Sequence, residues 1–135
     1  MNISITPIQK ALDAHLLALD GIPQVQLENT RAPFKTGQSF TRATLIPSQP
    51  QQRTVGVTGR DMLSGLYQID LFIPQDTGVD AANGLVDLVL GHFQRGMRIE
   101  HDGITVHIQR AGREAGSRHE PFYQAPVTVT WHVIG

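Results

Sequence analysis

Six histidines, His15, His92, His101, His107, His119 and His132, are the side chains here best suited to metal or proton chemistry. Imidazole is a common metal ligand and titrates near neutrality. The spacing serves neither role. No pair shows the H-x-x-x-H or H-x-E arrangement of a metal motif. A two-residue turn at Asp102-Gly103 would set Arg98 opposite His107, and a cation beside a metal ligand is unfavourable. The same turn places His101 and His107 on opposite faces. His92 falls near a helix end, where positive charge is welcome. His15 flanks an apolar helical stripe, and His132 alternates with threonines. The histidines read as structural.

Asp70 interrupts an apolar strand pattern and could act as a general base. Arg42 on the preceding strand offers it an ordinary cross-strand ion pair, which is the expectation. Glu100, His101 and Asp102 flank a turn and read as solvated. Ser4, Ser39, Ser48, Ser64 and Ser117 lack a nucleophile-elbow context. Gly56-Val-Thr-Gly59 and Gly112-Arg-Glu-Ala-Gly116 do not open a helix after a strand with a lysine, so neither reads as a phosphate cradle. Cysteine is absent, which excludes disulfides and thiolate zinc sites. The residues imply no cofactor, no metal and no enzyme.

The elements that would position these residues read as follows. Thr6-Pro7 marks a helix start, and Ile8, Ala11, Leu12, Leu16 and Leu19 recur at helical spacing up to Gly21. Gln24–Leu27 reads as a short strand and Asn29–Ser39 as loop. Phe40–Ile46 reads as a strand with mixed faces, stopped by Pro47. A polar arm, Pro47 to Gly65, leads to a strand at Leu66–Ile73, with Tyr67, Ile69, Leu71 and Ile73 on one face. A helix over Val79–Phe93 carries the stripe Ala82, Leu85, Val86, Val89, Leu90 and Phe93. Gly84 and Gly91 lower its intrinsic stability by about 1 kcal/mol each relative to Ala, so packing must supply the difference. Met97–Arg110 reads as a hairpin whose turn pairs Ile99 with Val106 and Met97 with Ile108. Ala111–Pro121 reads as a charged loop. Val127, Val129, Trp131 and Val133 form one face of a last strand. The order predicts an α+β fold: a mainly antiparallel sheet, two helices packed on one face, and a projecting β-hairpin arm.

At 135 residues, residues 1–135 form one domain able to bury its own core. The net charge is −1 and the basic residues are scattered, so no stripe exists to track a phosphate backbone and nucleic-acid binding is disfavoured. No apolar run approaches the length of a membrane span. Met1-Asn-Ile-Ser-Ile-Thr lacks the pattern of a signal peptide. A free loop as long as the arm is uncommon in a small domain unless it is functional. Its centre, Thr54-Val-Gly-Val-Thr58, is β-prone and could add to a neighbour's sheet. The expected partner-contact residues are Gln51, Arg53, Thr54, Val55, Val57, Arg60 and Asp61 of the arm. Arg113, Glu114, Arg118 and His119 of the charged loop complete the set.

The series Leu45-Ile-Pro47, the Gly- and Thr-containing arm, Tyr67-Gln-Ile-Asp-Leu-Phe-Ile-Pro74, Thr77-Gly78 and His92-Phe-Gln-Arg-Gly96 resembles the small tail-terminator proteins of long-tailed bacteriophages, those similar to the lambda minor tail protein U. The resemblance spans most of the chain and rests on hydrophobic spacing and turn residues. It implies a structural protein that forms a six-membered ring on the last ring of tail-tube protein. Such a ring stops polymerisation and offers its other surface to the head-side connector. It implies a place at the head-proximal end of a flexible, non-contractile virion tail, after assembly in the host cytoplasm. Another neck or tail-completion protein, or a small monomeric binding module, fits the same size and order.

Overall fold

The computed structural model describes residues 4–30, 38–48, 51–52 and 61–134. Helix α1 spans Ile5–Leu17. Strands β1 (Val25–Gln26), β2 (Phe40–Pro47), β3 (Gln51–Gln52) and β4 (Asp61–Pro74) follow, then helix α2 (Asp80–His92). Strands β5 (Arg98–His101), β6 (Ile104–Arg113), β7 (Ser117–His119) and β8 (Phe122–Ile134) complete the chain. One sheet runs β1-β2-β4-β8-β6-β5, with β3 added to β4 and β7 added to β8. It is mixed rather than purely antiparallel, because β1 pairs with β2 in parallel.

Both helices cover one face. Ile8, Ala11, Leu12 and Leu16 of α1 and Ala82, Val86 and Val89 of α2 share a single core with Tyr67, Ile69, Leu71, Val127, Val129 and Trp131. Leu63, Tyr67, Ile69, Leu71 and Ile73 of β4 and Ala125, Val127, Val129, Trp131 and Val133 of β8 point into that core, as period-two alternation requires. Phe93 caps α2 and is fully buried. Leu85 and Leu90, on the expected stripe, are only partly buried against the core.

The turn pair at Asp102-Gly103 behaves as its chemistry demands. Both residues have positive φ, 48° and 80°, the condition for a type I′ hairpin turn. Arg98 faces His107 and Ile99 faces Val106, as the two-residue turn predicts.

Several boundaries differ from the sequence reading. Ser4, not Thr6, is the N-cap of α1, and it makes no side-chain capping bond. Pro7 therefore sits within the first helical turn, where its missing N–H has no helical partner to lose. Both ends of the expected arm include sheet: β3 is Gln51–Gln52, β4 begins at Asp61, and Met62 and Leu63 are buried. Gly65, which reads as the end of a loop, is a strand residue. A Cβ there would overlap the Ile46 carbonyl and lie 2.8 Å from Trp131, so only glycine fits beneath the indole.

The expected loop Ala111–Pro121 is mostly strand as well, divided between β6 and β7. A bulge between Ile108 and Arg110 inserts Gln109 and shifts the register against β8. The shift turns Arg110 toward the open face and Ala111 toward the core. Pro126 is tolerated inside β8 because its nitrogen faces the bend that follows β6. Only its carbonyl is used on that side, accepting from the Glu114 N–H at 3.0 Å.

Candidate functional site

Among the described residues Asp70 is the buried charge of the sheet, 2% exposed on the face away from the helices. Arg42 is directly opposite it in register, and the guanidinium lies 3.8 Å from Oδ2. The expected ion pair is present. Two further partners were not visible in sequence: Gln68 Nε2 and Gln124 Nε2 donate to Oδ1 at 2.9 and 2.8 Å. Phe72 stacks on Phe40 with ring centroids 4.6 Å apart, and Arg42 sits over the Phe72 ring. A carboxylate held by two amides and a guanidinium is positioned as an acceptor within a fixed network.

The histidines are likewise engaged with the fold. His15 and His92 stack, centroids 3.9 Å apart. The Nε2–H of His15 donates to the His92 carbonyl at 2.6 Å, and that of His92 donates to the His15 carbonyl at 2.5 Å. The last turns of α1 and α2 thus satisfy each other's free carbonyls. Burial, reinforced by the neighbouring His92, lowers the His15 pKa against the raising effect of its hydrogen bond. His107 and His132 stack across β6 and β8, 4.8 Å apart. Gln109 Nε2 donates to His132 Nδ1 at 2.8 Å. Among the described residues no group of three or more His, Asp or Glu converges as a metal site would require. A groove of about 630 Å3 between the α1–β1 connection and the start of α2 is lined by Ile22, Pro23, Ile73, Pro74 and Leu85 among others, without a titratable side chain.

The contact residues expected from sequence fall into two groups. Gln51 lies in β3 opposite Met62, and Asp61 lies in β4 opposite Gln52. Ser48 closes the base of the arm through its N–H and hydroxyl, which both donate to the Ser64 carbonyl. Arg53, Thr54, Val55, Val57 and Arg60 fall outside the described residues. The other group is gathered on one edge. Arg113 ends β6 opposite Val127 and donates to Asn83 of α2. Glu114 follows it. Arg118 and His119 lie in β7 opposite Tyr123 and Phe122. Arg118 also reaches Asp76 at 3.2 Å, a contact so exposed that it contributes little. The pair β4–β8 separates the two groups, which do not meet within the described chain.

The described residues thus form a helix-backed sheet in which Asp70 and the stacked histidine pairs are engaged with the fold. A sequence profile described as phage tail terminator protein matches residues 7–131, and the chain belongs to that family. It is a structural protein of bacteriophage tail assembly and a component of the virion tail. A solved structure shares its fold with a TM-score of 0.74 at 17% identity, over 98% of this chain and 96% of the other. No curated protein matches in sequence.

Proposed function

We propose that this protein forms a closed ring, six-membered as in the terminators it resembles, on the head-proximal end of a non-contractile tail tube. The ring stops tube growth and presents its far surface to the head-side connector. The observation that carries this reading is the family match over residues 7–131. Two elements on opposite sides of one sheet, β3 at the base of the arm and the largely exposed β6–β7 edge, support it. A contact that joins unlike surfaces generates a ring when its rotation closes. Each subunit then needs only a weak hold on the tube, since the ring binds through effective concentration. The next tube ring must find no matching surface on the terminator's outer side.

The test combines sedimentation of the purified protein, alone and with tail-tube protein, with tube lengths from electron microscopy. A ring-sized species and tubes of arrested length are expected. A protein that stays monomeric in both conditions, beside tubes that grow unchanged, overturns the reading.

A further inference from the structure

The open face of the sheet, away from both helices, carries an unbalanced row of basic side chains. Arg98 of β5 stands directly opposite His107 of β6, and His107 stands directly opposite His132 of β8. The two imidazoles stack, with centroids 4.8 Å apart. Gln109 donates to His132 Nδ1, which leaves Nε2 as that ring's N–H donor. Arg95 joins them from the turn before β5, and together they line a depression of about 350 Å3. Arg110 follows on the same face, opposite Thr130.

Like charges set directly opposite one another weaken a sheet, so such a row calls for a counter-charge. Among the described residues the fold supplies no carboxylate within ion-pair distance of Arg95 or Arg98. Glu100 stands two positions beyond Arg98, opposite Thr105, and Glu114 shares a separate depression with Arg110. Both guanidinium groups are donors only. A local conflict left unrelieved within the fold is the mark of a surface shaped for a partner.

We infer that this row takes the outer face of helix α2 of a second copy of this chain, through Asp80 and Asp87. The contact deepens the ring reading above and rests on it. Both aspartates are exposed, and among the described residues neither has an ion pair. Seven positions apart, they lie on one side of the helix, about 10.5 Å from each other. Arg98 to His132 spans two strand spacings, about 10 Å. The two separations match, so a helix laid across the strands sets one carboxylate at each end of the row. Gly84 lies between the aspartates with open space around it, and no side chain there holds the surfaces apart. Exposed Leu88 beside Asp87 and exposed Leu66 beside the row add apolar contact. Arginine–carboxylate hydrogen bonds are charge-assisted and stronger than neutral ones. The helices and the open face are opposite layers of the domain, so the contact joins unlike surfaces and repeats from copy to copy until it closes.

Charge exchange tests this, and it also shows which aspartate meets Arg98. Arg98→Glu, at an exposed position, should melt as wild type does and lose rings at least tenfold in sedimentation. Adding Asp80→Arg or Asp87→Arg to the same chain should restore rings in one of the two combinations, while that aspartate variant alone loses them. The chain has no cysteine, so Arg98→Cys with Asp80→Cys or with Asp87→Cys gives an independent measurement. On oxidation of the assembled protein, one pair should form a ladder of cross-linked copies on denaturing electrophoresis, and single variants at most dimers. Rings unchanged by Arg98→Glu, or wild-type rings with neither rescue nor ladder, overturn this contact and leave the ring reading standing. Rings that persist in Arg98→Glu while capture of tail-tube protein is lost overturn it too, and assign the row to the tube. A wild-type protein that never forms rings removes both readings. If Arg98→Glu does not fold, the ladder decides.

Discussion

Asp70 tests whether the buried network or the ion pair holds the open face of the sheet. Arg42 is about half exposed and 3.8 Å away, so that pair should contribute only about 0.2–1 kcal/mol. The two amide donors are closer, and a hydrogen bond to a charged group is worth about 1.5–3 kcal/mol. Gln68 and Gln124 are only partly buried and can turn back to water, which recovers part of that loss. Asp70→Ala should therefore cost about 2–4 kcal/mol, and Asp70→Asn about half as much, since the amide keeps one acceptor. For a chain of this size each kcal/mol lowers the melting temperature by about 3–5 °C. Calorimetry on Asp70→Ala, Arg42→Ala, Gln124→Ala and the two double variants separates the terms through coupling energies. Gln124 should couple to Asp70 more strongly than Arg42 does, and 1 M salt should leave the ordering intact. A larger coupling to Arg42, or a penalty that vanishes in salt, would refute the reasoning.

Three further outcomes follow from the packing. Phe93→Ala should cost about 3–5 kcal/mol, because the ring is fully buried against His15, His92 and Tyr67, whereas the exposed Asp87 should tolerate Ala within about 0.5 kcal/mol; urea melts compare them. The His15 pKa is lowered below 6.5 in the fold, so the folded state binds fewer protons and stability falls as pH drops from 6.5 through the lowered value; the melting temperature should be lower at pH 5.5 than at 7.5, with a smaller difference in His15→Gln. Gly65→Ala should destabilise strongly because it meets backbone at Ile46, while Gly116→Ala meets the Tyr123 side chain and should be partly rescued by Tyr123→Phe, as thermal melting can show.

The parts of the fold legible in sequence are those where one local pattern decides the outcome. The α2 stripe, the Asp102-Gly103 hairpin and the alternation of Val127 to Val133 each carry their own period. The Arg42–Asp70 pair was legible because it needs only the register of one hairpin. What was hidden depends on residues far apart. Gly65 looks like loop punctuation until Trp131 is laid over it. The bulge at Gln109 breaks alternation where β6 leaves β5, and the following edge is largely exposed, so it shows no hydrophobic period at all. The reciprocal His15–His92 contact joins helix ends 77 positions apart, with nothing local to mark it. Among the contact residues, Arg113 to His119 drew notice for charge and glycine content, yet their shared character as a strand edge emerges only from pairing with β8.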